Sequence, residues 1–361
     1  MSEFTQDQYW MQRAIELARL GQYSTKPNPN VGCVIVKQGQ LIGEGYHPKA
    51  GQPHAEVFAL RQAGDNAKDA TAYVTLEPCA HYGRTPPCAE ALVKAQVKKV
   101  VLACFDPNPL VAGKGIKILQ DAGIEVATDV CTESAAALNF GFLKAMSMGL
   151  PYVRLKIASS LDGRTAMASG ESKWITGTVA RQDVQHWRAI SGAVITGIQT
   201  VLADDCELNV RALNGIDLAA VVQPKRIVLD RQGQLPLSAK ILKNPETVMV
   251  MTPFRQELAD LGVIQLAPQP LSQLLQILTQ QYQIYDVLVE AGATLSTAFL
   301  QQGLVDEMIS YVAPTLLGQS ARAMFNAEFS EMAEQLRFEL VDVTQLGQDI
   351  RLRLLPTQEM I

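Results

Sequence analysis

The chain has 361 residues, room for two ordinary domains, and 48% hydrophobic against 19% charged residues, the balance of a folded globular protein. A net charge of -5 with no block of Lys or Arg argues against a nucleic-acid-binding surface, and no run approaches the roughly 18 apolar residues of a membrane span. Six cysteines at irregular spacing are too sparse for a disulfide scaffold and MSEFTQDQYW carries no leader pattern, so a reduced cytoplasmic compartment is expected, where free thiolates can serve as metal ligands.

Thr5 and Gln8 have the spacing of a capping box, Trp10, Ala14, Leu17 and Ala18 fall on one helix face, and Gly21 closes that first helix. The turn-rich stretch Lys26-Pro27-Asn28-Pro29-Asn30 precedes an apolar strand over 31–36, which a turn at Gly39 returns as a second strand over 40–45. Helices are expected over 54–64, 89–96, 115–122 and 132–147, with strands over 72–76, 99–104 and 124–128. That alternation predicts an α/β fold with helices on both faces of a sheet. Gly149-Leu150-Pro151 ends the last of these helices and sets a domain boundary, 1–149 against 150–361. Beyond it, strands over 152–158, 192–197, 225–230, 246–251, 285–290, 306–312 and 349–355 alternate with helices near 178–190, 271–281 and 294–303.

His54-Ala55-Glu56 opens a predicted helix, Pro78-Cys79 follows the strand segment Thr75-Leu76-Glu77, and Cys88 opens the next helix nine positions later. Zinc binds imidazole nitrogen and thiolate sulfur, and a catalytic site takes three protein ligands and leaves a place for water. The ion brings the pKa of that water toward neutrality. A carboxylate beside it must take the water's proton and return it to the ring and the leaving amine, and Glu56, two residues from a ligand, fits that part. The pattern matches the H-x-E and P-C signature of zinc deaminases, except that eight residues separate the cysteines where those enzymes have two. The spacer, Ala80-His81-Tyr82-Gly83-Arg84-Thr85-Pro86-Pro87, must loop out, as its glycine and prolines allow. A closed zinc knot with His81 as fourth ligand, or buried thiols unrelated to metal, are the alternatives.

HAEVFAL followed by YVTLEPCAHYGRTPPC resembles the bifunctional riboflavin-biosynthesis deaminase/reductase family, as do Pro27-Asn28-Pro29-Asn30-Val31-Gly32 and Gly43 to His47. In the second half LKIASSLDGRTAMASGESKWITG (155–177), TVLADDCELNVR (200–211) and VEAGATL (289–295) resemble its reductase landmarks. The resemblance implies a cytidine-deaminase-like α/β/α domain followed by a dihydrofolate-reductase-like α/β domain. It implies deamination of a diaminopyrimidinone carrying a ribosylamino 5′-phosphate, with zinc, then NADPH-dependent reduction of the ribosyl group to ribityl. Carried over by position, Asn28 and His47 line the pyrimidine pocket and Arg84 lies near the substrate. Ala158, Trp174, Thr200, Asp204 and Gly292-Ala293-Thr294 meet NADPH, while Lys156, Ser172, Arg188, Leu208, Arg211 and Glu290 meet the substrate. The family also suggests a homo-oligomer. Two positions depart from it: Cys206 stands where proline is usual, and Gln319 where a second glycine is common.

Read from its own residues, the second half says less. It has no G-x-G-x-x-G after its first strand, and offers a strand ending in Glu290, a small-residue turn and a helix N-terminus suited to phosphate. Arg188 and Arg211 are candidate phosphate grips, and Lys156 a candidate to steady or protonate the sugar oxygen. The competing readings are a deaminase for another small pyrimidine or pterin with an inactive C-terminal domain, a nucleic-acid editor, which the charge balance opposes, and a non-enzymatic zinc-stabilised binding protein.

Overall fold

Thr5 starts the first helix as expected: its side chain accepts from the Gln8 N–H while the Gln8 side chain accepts from the Thr5 N–H. In this computed structural model, residues 5–82 and 86–357 are described, and the chain divides into two units, Met1–Leu150 and Pro151–Ile361. Arg84 lies outside the described residues.

In the first unit the chain runs α1 (Gln6–Arg19), β1 (Gly32–Lys37), β2 (Gln40–Tyr46), α2 (Ala55–Ala63), β3 (Thr71–Val74), α3 (Cys88–Lys94), β4 (Lys99–Leu102), α4 (Lys114–Asp121), β5 (Glu125–Ala127), α5 (Thr132–Ala136) and α6 (Phe140–Met148). The sheet order is β2-β1-β3-β4-β5, antiparallel at β1 and parallel from β3 to β5. Alternate strand residues face opposite sides. Cys33, Ile35, Val74, Val100 and Leu102 pack against α2, α3 and α4, while Val34, Val36, Tyr73 and Val101 pack against α1 and the α5–α6 region. The α/β/α layering read from the sequence is therefore present. The expected helix over 132–147 is instead two. Asn139 leaves the helix because its Oδ1 accepts from the Asn30 N–H at 2.7 Å and its Nδ2 donates to the Asn30 carbonyl at 2.9 Å.

The second unit contains β6 (Tyr152–Ser160), β7 (Arg164–Ala166), α7 (Thr178–Ile190), β8 (Ala193–Gly197), α8 (Ile198–Asp204), β9 (Lys225–Leu229), β10 (Val248–Met251), α9 (Gln256–Asp260), β11 (Ile264–Leu266), α10 (Leu271–Tyr282), β12 (Asp286–Glu290), α11 (Ala293–Gln301), β13 (Glu307–Ala313), β14 (Arg322–Ala323), β15 (Phe338–Leu346) and β16 (Asp349–Pro356). Nine strands form one sheet in the order β11-β10-β9-β8-β12-β6-β13-β16-β15. It is parallel from β11 to β13, and the last two strands join antiparallel. Parallel strands linked by helical crossovers gather the loops after their C-terminal ends on one edge, where open α/β sheets bind ligands. β7 and β14 make a separate two-stranded ribbon. The sequence reading missed β15, the outermost strand, whose Leu340 and Val343 are more than half exposed.

Candidate active sites

In the first unit His54 caps α2, Cys88 opens α3, and Cys79 sits in the loop after β3. One ligand atom from each lies within 4.8 Å of the others; His54 Nδ1 is 3.6 Å from Cys79 Sγ and 3.4 Å from Cys88 Sγ. The hydrogen bond from Cys88 draws the Cys79 thiol down to about 4, and the same contact with burial pushes Cys88 up. Two sulfurs this close cannot both ionise without a cation between them, and one imidazole with two thiolates is a donor set that suits zinc. His81 is exposed and outside the cluster, so the closed-knot alternative loses its fourth ligand.

Glu56, in the first turn of α2, is 3% exposed and its Oε2 has no hydrogen-bond partner among the described residues. Burial raises its carboxyl above the usual range. A buried carboxylate with a free oxygen, beside a metal ligand set, is arranged to take up a proton. Asn28 and His47 come together there as well. Asn28 Nδ2 lies 3.0 Å from His47 Nε2, His47 Nδ1 lies 3.0 Å from the Pro53 carbonyl, and the His47 ring meets His54 edge-on at 5.3 Å. The sequence reading missed Asp106, which is 7% exposed and which burial pushes up to about 6, with His81 and Cys79 among the groups acting on it.

In the second unit register builds the site. Glu290 of β12 is the direct partner of Lys156 on β6, which sets both side chains on one face. Lys156 Nζ lies 3.6 Å from Glu290 Oε2, and Arg188 of α7 donates to both Glu290 oxygens at 2.5 and 3.0 Å. Arg188 also donates to the Asn209 carbonyl at 3.2 Å. Burial alone would raise the Glu290 carboxyl; Arg188 and Lys156 override it and hold it down at about 2.

Ser172 donates to Asp204, the last residue of α8, at 3.3 Å. Gly292 precedes α11 without a side-chain cap, and a Cβ there would meet nothing within 4 Å, so the helix N-terminus is open to a phosphate. Thr294, in the first turn of α11, accepts from Asn326 Nδ2 at 2.9 Å. Trp174 is 68% exposed with the Arg181 guanidinium 4.4 Å over its ring, and Arg211 is exposed; neither joins the Glu290 cluster. Leu208 is buried at a left-handed φ of 53°, Ala158 is packed on the sheet core from β6, and Thr200 lies on α8. Cys206 packs against that core too. Asp162 accepts from the N–H groups of Leu317 and Gly318, which pins the turn that precedes Gln319.

A family model for the RibD C-terminal domain matches residues 151–352, and one for the cytidine and deoxycytidylate deaminase zinc-binding region matches residues 4–104. The chain belongs to the RibD family. Riboflavin biosynthesis protein RibD of Haemophilus influenzae is 49% identical over 371 residues, 99% of each chain, and that of Escherichia coli is 48% identical over 97% of this chain and 99% of its own. A solved structure of Acinetobacter baumannii RibD superposes with a TM-score of 0.97 at 80% identity, over 99% of this chain and 100% of that one. A Thermotoga maritima structure described as a diaminohydroxyphosphoribosylaminopyrimidine deaminase/5-amino-6-(5-phosphoribosylamino)uracil reductase superposes at 0.87 with 32% identity, over 98% of this chain and 99% of that one. This RibD-family chain is a bifunctional deaminase and reductase of riboflavin biosynthesis, with zinc and NADPH as its cofactors. No helix among the described residues is long and apolar enough to cross a membrane.

Proposed function

We propose that the unit up to residue 149 deaminates 2,5-diamino-6-ribosylamino-4(3H)-pyrimidinone 5′-phosphate and that residues 150–361 reduce the ribosyl group of the product to ribityl. The observation that carries the first step is the unpartnered Oε2 of Glu56, buried beside the His54, Cys79 and Cys88 cluster. Those three residues would hold zinc, which when bound supplies the Lewis acidity that makes a water nucleophilic near neutral pH. Glu56 takes one proton of the attacking water and delivers it to the ring nitrogen, then takes the second from the new hydroxyl as the carbonyl forms and gives it to the amino group, which leaves as ammonia when the C–N bond breaks. Asn28 and His47 hold the pyrimidine edge-on to that water. With Nδ1 donating to Pro53, His47 keeps Nε2 as an acceptor, and burial favours that neutral form.

In the reductase, NADPH supplies hydride. Ala158, Trp174, Thr200, Asp204 and Gly292 to Thr294 would hold it, and the uncapped start of α11 suits a phosphate. Lys156 would give a proton to the sugar ring oxygen as its bond to the anomeric carbon breaks and hydride is delivered to that carbon. Glu290, held ionised, orients Lys156 and meets the sugar. Arg188 locks Glu290 and keeps two N–H groups for a further acceptor, and Ser172, Leu208 and the exposed Arg211 complete the substrate side. The protein is proposed to work in the cytoplasm, which suits its six free thiols, and to act on this small molecule independently of nucleic acid or membrane. It is proposed to form a homo-oligomer, for which the exposed Leu340, Val343 and Ile350 on the β15–β16 hairpin offer an apolar face.

The test follows nicotinamide absorbance with purified protein, NADPH and the diaminopyrimidinone ribosyl phosphate. Substrate-dependent NADPH consumption that a zinc chelator stops, and that the supplied deaminated intermediate restores, is the expected result. Consumption that survives zinc removal with the first substrate would sink the deaminase assignment.

A further inference from the structure

We propose that Glu77 is a positioning residue for the zinc site, fixing the arm that carries Cys79 and thereby setting how long the metal stays bound. This rests on the reading of His54, Cys79 and Cys88 as zinc ligands. Glu77 is 3% exposed, and its carboxylate accepts four backbone N–H groups. Gly115 and Ile116 donate to Oε1 at 3.0 and 3.3 Å, and Gly113 and Asp106 to Oε2 at 3.1 and 3.4 Å. Its own N–H donates to the Cys104 carbonyl at 3.0 Å. These partners occupy the carboxylate fully, so Glu77 has no part in moving protons.

Three of these bonds, from Gly113, Gly115 and Ile116, also explain how α4 begins. Its N-cap, Gly113, sits at a left-handed φ of 81° and offers no side chain, so the free N–H groups of the first turn need an acceptor from elsewhere. Glu77 supplies it from 36 residues away and places a negative charge at the positive end of the helix. Contact is close enough that a Cβ on Gly115 would stand 2.1 Å from the Pro78 carbonyl oxygen.

Only Pro78 separates this anchor from Cys79, and its ring fixes φ, so the position of Glu77 passes directly to the thiolate. Downstream, the spacer has no helix or strand among its described residues until α3. The other hydrogen bonds of Cys79 among the described residues come from the ligand-bearing segments themselves: the Cys88 N–H to Sγ, the Ala89 N–H to its carbonyl, and the contact of Sγ with His54 Nδ1. Glu77 is therefore the anchor that stands outside the ligand segments. Partners of this kind behind metal ligands are worth about 10–100-fold in metal affinity.

The test is Glu77→Gln in the full chain, whose amide turns an N–H₂ toward N–H donors. Zinc release to a chromogenic chelator should be about 10–100-fold faster than in wild type. The thiolate-to-cobalt absorption of the Co²⁺-substituted protein should shift, while NADPH oxidation with the supplied deaminated intermediate stays at the wild-type rate. Wild-type zinc release with an unchanged cobalt spectrum would overturn the proposal. Should the reductase fall as well, the variant has misfolded and Gly113→Ala decides. Its Cβ meets nothing within 4 Å and it leaves the carboxylate in place, but it strains the left-handed cap that aims an N–H at Glu77. A few-fold faster zinc release supports the proposal, and an unchanged rate overturns it. A wild-type chain without stoichiometric zinc would instead remove the zinc reading on which it stands.

Discussion

Both units bury a glutamate at the proposed site, and they treat it in opposite ways. Glu56 has an oxygen with no partner among the described residues, and burial raises its carboxyl. Glu290 is gripped at both oxygens by Arg188, faces Lys156, and is held down at about 2. A group that takes up and hands on protons needs a free lone pair and a pKa near the working pH. A group that holds a charge in place is better served by saturation. Burial is common to both, so the neighbours decide which role each carboxylate can play.

The largest effect should come from Glu56→Gln, which keeps the shape and removes the base. Ammonia release should fall by about 10²–10⁴-fold while zinc content and reductase rate are kept. An active Glu56→Gln protein would break the contrast at its first term. Arg188→Ala attacks the second. It strands a buried charge, which typically costs about 3–5 kcal/mol, measurable as a shift in urea unfolding of the second unit, with reductase activity lost and deamination retained.

pH sharpens the same contrast. The folded pKa of Glu290 lies below its unfolded value, so its contribution is complete above about 4.5 and is lost as pH falls toward 2. The stability difference between wild type and Glu290→Gln should therefore be flat from pH 8 to about 5.5 and shrink only at lower pH, as followed by tryptophan fluorescence in urea. A difference already shrinking between pH 7 and 6 would mean that Arg188 and Lys156 do not hold the Glu290 carboxyl down. The smallest effect is expected from Trp174→Ala. Loss of an exposed stacking surface should raise KM for NADPH a few-fold with kcat nearly unchanged in steady-state assays.

Much of this was legible because short-range pattern and function coincide. Two of the proposed zinc ligands lie at helix starts and the third in the loop after a strand, and the structure brings all three together. The β6, β8 and β12 strands were readable as apolar runs. What escaped depends on partners far along the chain. Asn139 breaks a helix-forming stretch to reach Asn30, 109 positions away. Arg188, read from the sequence as a candidate phosphate grip, pairs with Glu290 across 102 positions, a clamp the sequence did not display. Arg154 and Glu307 are buried within a strand pair that reads as apolar, since Asp286 and Arg353 complete their ion pairs. Glu77 gave no signal at all, because its partners are backbone groups that a side-chain pattern does not display. β15 escaped because an edge strand with polar residues on both faces has weak alternation.

The two bonds between Asn139 and Asn30 bear on how small a working deaminase can be made. With Asn30 Nδ2 donating to the Leu138 carbonyl and Thr25 Oγ1 donating to Asn30 Oδ1, the loop that presents Asn28 is tethered to the end of α5. A fragment cut after residue 104, where the zinc-binding motif is already complete, would keep every proposed metal ligand and the base. It would nevertheless release the proposed pyrimidine-binding loop from its mooring. The shortest excised catalyst should need α5 and the start of α6, and a fragment ending before residue 138 should turn over poorly however well it retains metal.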